Sequence, residues 1–398
     1  MARKLVPVEF GKFLTALVFA QIMFILADSG LGQLAAKNIA QSQFEWNEWA
    51  ENIFSWRIWM NIFVLLAAPL LSFLFFPARE VAVLSIVLTL AMLSLGTADF
   101  FIWVLKGFRK VILSSVLLIV SRGTLFFLIL GALAVHSKIK VLSFIFLFNG
   151  IVSVALAGLV VARSVKLPRF VNLRREFFHD IFPQICRFSI VIIGFVLFNR
   201  IDVMIVARIF GTLSAGFYGT AVHILEFLSL IPFSVYGVVL PVFSASGEND
   251  EKLKRVFKNV FLSLFLAALL IILVGSFLVT PIVIFILGRD FLPTSEYLRI
   301  MLWCCIPIFI AQLFFAFLLA RNDFKILIWG VGTGLFVEVL FNVILLPSQG
   351  VYGAAWAKLL GTFSVLFVYS RAIGSYQLLS FKKNLAFGFA PKLGRPMC

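Results

Sequence analysis

Arg122 lies about halfway along an apolar stretch, 111–135, between Ser121 and Gly123. An ionisable side chain inside a segment long enough to cross a membrane is costly, and it is read first as functional or as partnered. A guanidinium at that depth can hold a phosphate or diphosphate group bidentately. The alternative is an ion pair with an acid such as Asp99 or Asp28. Lys358 and Glu338 pose the same choice. The connection between their segments is short, so the segments are antiparallel neighbours, and both side chains reach about 12 Å from the shared end at 1.5 Å per residue. Either they pair, or Lys358 is a cavity lysine for phosphate that is released when Glu338 takes a proton. His223 and Glu226 are three apart and share a helix face. A histidine beside a carboxylate in a membrane can relay protons or bind a cation, or both can hydrogen-bond a neighbouring helix. Arg200 and Asp202 sit near the end of their segment and point to different faces, which suggests structural bonds to the adjacent loop. Asp28 and Asp99 read as caps or as partners for Lys106 and Arg109.

The elements that must position these groups are membrane spans. A mean hydropathy of +1.09, with 62% hydrophobic and 13% charged residues, excludes an ordinary soluble domain, where about 25% charge is usual. A span needs about 20 apolar residues. Apolar segments at 13–30, 54–76, 81–103, 111–135, 141–162, 184–206, 216–243, 258–287, 299–320, 324–346 and 351–373 give about 11 crossings. Pro281 marks a place where the eighth of these could tilt or break. The basic start of the first segment also suits a secretory leader, a reading that the repeat below opposes. The net charge of +16 is no nucleic-acid signal, because the Lys and Arg residues lie in short runs between apolar segments. Alternate loops carry 21 and 10 of them, and the richer side is expected to be cytoplasmic, together with the C-terminus. Cys186, Cys304, Cys305 and Cys398 show no metal or redox spacing and read as inert thiols.

A repeat links the two parts of the chain. Ala2-Arg3 and Gly11 match Ala207-Arg208 and Gly216 at the same spacing, with Phe13 falling on Tyr218, Thr15-Ala16 on Thr220-Ala221 and Gln21 on Glu226. A full span, 184–206, precedes the second copy and none precedes the first. The expectation is an all-α polytopic protein of two pseudo-symmetric six-helix bundles around a central cavity, with 12 helices expected and the first one absent. The divisions are 1–163 (N-terminal bundle), 164–181 (basic linker), 182–373 (C-terminal bundle) and 374–398 (tail). A gap should then expose the face of 13–30 that the absent helix would cover. The linker sets topology or meets anionic headgroups.

Four stretches, in order, resemble the polysaccharide flippases, the O-antigen and teichoic-acid exporters of the multidrug/oligosaccharidyl-lipid/polysaccharide superfamily. They are Pro7-Val8-Glu9-Phe10-Gly11 with Ala27-Asp28-Ser29-Gly30-Leu31-Gly32; Asn199-Arg200-Ile201-Asp202 through Gly211, Ala215-Gly216-Phe217-Tyr218 and Glu226 to Pro232 and Pro241; Leu287-Gly288-Arg289-Asp290-Phe291 with Leu298-Arg299-Ile300; and Asn342 to Pro347 with Gly350-Val351-Tyr352-Gly353. The resemblance implies a flippase of the cytoplasmic membrane, working by alternating access on a polyprenyl-diphosphate-linked oligosaccharide. Its partners would be that cargo, membrane lipids and polysaccharide polymerase machinery. Family cavities tend to be cationic, which suits a diphosphate, so Arg122, Lys358 and Glu338 become cavity candidates and His223 and Glu226 coupling candidates.

Two other readings stay in view. A cation-coupled multidrug extruder of the same superfamily would want acids in its cavity. A membrane oligosaccharide polymerase or ligase would want a long outer loop, and the outer connections here are short. No phosphate-binding Gly-rich loop with Lys-Ser/Thr and no Asp-x-Asp occurs, so no nucleotide, metal or other cofactor and no nucleic-acid partner is expected.

Overall fold

Apolar runs of this length have one way to satisfy every backbone N–H and C=O in lipid, which is to do so within the segment as helix. The computed structural model describes residues 6–32, 35–36, 39, 46–135, 138–165, 168–171, 175–245 and 251–375. Ala2-Arg3 of the repeat, Lys166 and Arg174 of the linker, and the tail from 376 with Cys398 lie outside the described residues. The helices are α1 (Pro7–Asp28), α2 (Trp46–Phe75), α3 (Arg79–Gly107), α4 (Val111–Ala134), α5 (Ile139–Ser164), α6 (Arg175–Ala245), α7 (Glu251–Leu287), α8 (Leu292–Met301), α9 (Cys305–Ala320), α10 (Phe324–Gln349) and α11 (Val351–Ser375).

Ten apolar helical stretches among the described residues are long enough to cross a membrane. One of them, Ser189–Ser244, is folded into two legs at Gly211, whose φ of 82° is a conformation glycine adopts at little cost. The legs lie antiparallel, since a Cβ on Gly219 would stand 3.2 Å from Val203 Cγ1. That makes eleven crossings. α7 runs unbroken through Pro281, and at 37 residues it is about 55 Å long, more than a 30 Å hydrocarbon layer requires. α8 and α9 form one span joined by a 3-10 turn at Leu302–Cys304.

The repeat is visible as a two-fold relation between the halves. Gly11 and Gly216 face each other: a Cβ on Gly216 would stand 2.6 Å from Gly11 Cα. A Cβ on Gly11 would stand 2.2 Å from the carbonyl oxygen of Thr212, while one on Gly216 would look toward the carbonyl of Pro7 at 3.8 Å. The repeat equates Pro7 with Thr212, so the contact is reciprocal, as two-fold symmetry demands. α1 and the second leg of α6 therefore run parallel about an axis along the membrane normal, in the manner of parallel transporter repeats. Small residues four apart, Gly11-Thr15 and Gly216-Thr220, let the backbones approach. Phe291 bridges the halves beside them, packed edge-on against Phe10 and Phe217 at 5.5 Å each.

The symmetry extends along the chain. The turn after α3 and the turn after α9 are the same: Arg109 and Asn322 both have φ 59°, and the bonds Lys110 N–H to Leu105 O and Asp323 N–H to Leu318 O correspond. α3 thus matches α8–α9, α4 matches α10 and α5 matches α11. One expectation fails here. α1 is largely covered, with Val8 and Leu26 its exposed residues, because Phe146 of α5 packs on Phe13 at 5.8 Å and α6, α2 and α3 pack around the rest. The uncovered face belongs to α4. Val331 of α10 rests on Gly194 of the first leg of α6, whereas its counterpart Leu118 is exposed, with no helix on it among the described residues.

The glycine contact makes a signed prediction. Gly11→Ala should destabilise the protein by about 1–3 kcal/mol through overpacking against backbone. Gly237→Ala, on an open helix surface, should be neutral or stabilising. Thermal unfolding in detergent compares the two, and equal behaviour would contradict the packing described.

Candidate functional site

Two groups of charged side chains lie at membrane depth, one in each half. In the second half, Lys358 of α11 places Nζ 2.7 Å from the carbonyl of Phe198, 3.2 Å from Glu338 Oε1 of α10 and 3.4 Å from Asp202 Oδ2 of α6. The ammonium also sits 5.0 Å from the centre of the Phe198 ring. Tyr218 donates its hydroxyl to Asp202 Oδ2 at 2.7 Å, and the Val203 N–H donates to Oδ1 at 2.8 Å. Lys358, Glu338 and Asp202 are all at most 1% exposed, and Glu338 Oε2 has no hydrogen-bond partner. One ammonium therefore serves two carboxyl groups away from water.

The fold does not require this network. By the symmetry, Tyr218 and Lys358 occupy the places of Phe13 and Phe146, which form a plain aromatic contact, and Glu338 stands where the first half has Leu125. An apolar solution is thus realised in the same molecule. Burying charges costs more than burying well-packed apolar groups of similar volume. The second half keeps them nonetheless.

Beside it, Arg200 of the first leg of α6 pairs with Glu226 at 3.0 Å and reaches His223 Nδ1 at 3.3 Å, while His223 and Glu226 meet at 2.9 Å. These three are only partly buried. Arg200 and Asp202 do point to different faces, but their partners lie on neighbouring helices and not in the adjacent loop, because the bend at Gly211 folds Tyr218 and Glu226 back alongside them.

In the first half, Arg122 pairs with Asp99 of α3 at 2.7 Å and remains 45% exposed. The pair lies about 12–16 Å from the end of the bundle formed by Gly107 and Val111. Ser121–Ser153 and Thr124–Asn149, at 2.8 Å each, tie α4 to α5 around it. Deeper in the packing, Arg57 of α2 bonds Asp28 at the end of α1 and lies 5.8 Å from the Phe100 ring. It fits because residue 96 is glycine: a Cβ there would stand 2.6 Å from its Nη2. The partners of Asp28 and Asp99 are therefore Arg57 and Arg122, not Lys106 and Arg109. Lys106 instead lies over the Trp103 ring at 4.1 Å. Arg57 falls in the first turns of its span, where a cation ordinarily flanks the membrane, yet it is fully buried. Tyr218 was missed as a polar ligand. Its pairing with Phe13 in the repeat was the available signal, since a hydroxyl had replaced a hydrogen at an axial position.

A family model described as "Polysaccharide biosynthesis protein" matches residues 1–247. The chain belongs to that family. Among solved structures, lipid II flippase MurJ in an inward closed conformation is similar with a TM-score of 0.70 and 14% identity, over 92% of this chain and 82% of that one. A MATE transporter in a bent conformation gives 0.60 and 14%, over 94% of each. A MOP superfamily transporter from Pyrococcus furiosus gives 0.57 and 13%, over 93% and 87%. No curated protein matches in sequence. At these identities the likeness establishes fold: this member of the polysaccharide biosynthesis family is a multi-pass membrane protein with the helical architecture of flippases and other transporters of that superfamily.

Lys358→Met should leave Asp202 and Glu338 uncompensated and destabilise this family member by about 3–5 kcal/mol. Adding Glu338→Gln should recover part of that loss. Unfolding of the single and double variants in detergent measures the coupling, and strictly additive losses would contradict a shared network.

Proposed function

We propose that this protein moves a polyprenyl-diphosphate-linked oligosaccharide from the cytoplasmic to the outer leaflet of the cytoplasmic membrane, its two halves exposing a central cavity to each side in turn. The observation that carries the reading is the parallel two-fold arrangement of halves meeting at Gly11 and Gly216, in a chain of the polysaccharide biosynthesis family. Two rigid bundles joined at a close backbone contact can rock without unfolding, since packed interfaces prefer discrete arrangements to continuous deformation. The basic-rich end, with the tail beyond α11, faces the cytoplasm in this scheme. The product would pass to polysaccharide polymerase machinery on the far side.

Arg122 is the cargo contact in this scheme. It is the mid-depth guanidinium with an open side, and Asp99 holds its fork in place until a diphosphate competes for it. Lys358 and Glu338 act later: they are enclosed in this state, and a proton delivered to Glu338 would loosen its hold on Lys358 and free the ammonium for phosphate. His223 and Glu226, half-exposed beside them, offer a route for that proton. The likeness to MATE transporters, together with the part-exposed Glu226, favours cationic drugs as the second choice of cargo.

Reconstitution in liposomes tests the scheme. A fluorescent polyprenyl-diphosphate oligosaccharide, scored by a membrane-impermeant lectin, should change leaflet in the presence of the protein. Transport should fall roughly tenfold or more in Arg122→Ala, as expected for loss of one bidentate charge-assisted contact. A folded protein that leaves the lipid in place but extrudes a cationic dye would replace this reading with drug export.

A further inference from the structure

The first bundle carries a groove of about 310 Å³ between the starts of α3 and α5, lined by Val83, Leu84, Val87 and Phe144 and rimmed by Arg79, Glu80 and Lys140. Its size is at the small end of ligand pockets, which run roughly 300–1,000 Å³. Val83 and Phe144 are 50% and 60% exposed, so the apolar floor opens toward lipid. Lys12 of α1 bonds Glu80 at 2.7 Å and neutralises it. Arg79 and Lys140 make no hydrogen bond or ion pair within 4.0 Å among the described residues, although Lys140 lies near enough to Glu80 for their charges to interact, and the lip keeps a net positive charge. α3 and α5 both begin at this lip, and neither Ala78 nor Lys138 caps its helix with a side-chain hydrogen bond. Two sets of first-turn N–H groups thus add their partial positive charge to the same place.

The second bundle shows that the fold can close this groove. The symmetry equates Leu84 with Tyr297, Val83 with Glu296 and Lys140 with Tyr352. In that half Tyr297 and Tyr352 pack edge-on at 5.2 Å, and Tyr352 donates its hydroxyl to Glu296. Aromatic rings and an internal hydrogen bond fill the site that the first half leaves open, apolar below and cationic above.

We propose that this groove binds an anionic membrane phospholipid, with the phosphate on Arg79, Lys140 and the two helix starts and the acyl chains along Val83, Val87 and Phe144. Charge complementarity selects the headgroup, and the lipid-facing floor selects an amphiphile over a free anion. The groove's floor opens sideways toward lipid on the flank of one bundle, while Lys12, the neighbour of Gly11 on α1, ties its rim to the contact between the halves. Its occupant is therefore a resident lipid rather than the molecule carried across.

Lipid retention by the full chain in neutral detergent tests this, using phosphatidylglycerol, phosphatidylcholine and a polyprenyl diphosphate as probes in native mass spectrometry. Phosphatidylglycerol should be kept over phosphatidylcholine. The exposed pair Arg79→Ala with Lys140→Ala should weaken its retention roughly ten- to thirty-fold, at about tenfold or less per charge. Val83→Trp, which leaves the charges in place and fills the floor, should also displace it. Equal retention of both phospholipids, or retention unchanged in both variants, would overturn the proposal. So would a polyprenyl diphosphate that displaces phosphatidylglycerol and depends on the same residues, since the groove would then belong to the cargo.

Discussion

The structure depends on one close approach of backbone to backbone. In lipid the hydrophobic effect does not draw helices together, so association rests on van der Waals contact and on how near two main chains can come. At Gly11 and Gly216 they come as near as the absence of two Cβ atoms allows, and the same pair lies on the two-fold axis between the halves. Everything else is placed by that choice. α1 and the second leg of α6 become the inner helices, the bend at Gly211 folds the first leg back against the second, and the remaining spans follow in matching order on either side.

Against this symmetry, the charges are asymmetric. Half one fills its axial site with Phe13 and Phe146, and half two fills the same site with Tyr218, Asp202, Lys358 and Glu338. The reverse holds beside it, where half two packs Tyr297 against Tyr218 and Tyr352 and half one leaves a cationic groove. Each difference replaces a packing solution that the protein demonstrably possesses with one that is harder to bury or leaves space open. Duplicated architecture thus provides an internal control, with one copy showing what the fold needs and the other showing what has been added to it.

Much of the architecture was legible in the sequence because the membrane imposes a single rule, helix, on every apolar run. The spans, the repeat and the proximity of Lys358 to Glu338 and of His223 to Glu226 all follow from periodicity and short connections. What was not legible depends on which helices touch. Arg57 looks like a flanking cation because position along the chain reports depth only to within a turn or two, and its burial follows from the glycine at 96 on another helix. The partner of Arg122 could be narrowed to Asp99 or Asp28 but not decided. The uncovered face was expected on α1 and lies on α4, since sequence could not reveal that Phe146 would close over Phe13.

The central claim is that the two bundles rock, parting at the Gly11–Gly216 contact as the opposite end closes. Spin labels at Val8 and Leu213, on the inner helices near the glycine pair, and at Arg109 and Lys258, at the opposite end, would report both ends of the motion by pulsed dipolar spectroscopy in liposomes. The account predicts two populations that change in opposite senses when a polyprenyl-diphosphate oligosaccharide is added, one end lengthening as the other shortens. A single unchanged distance at both ends, in protein that is moving the lipid, would contradict it.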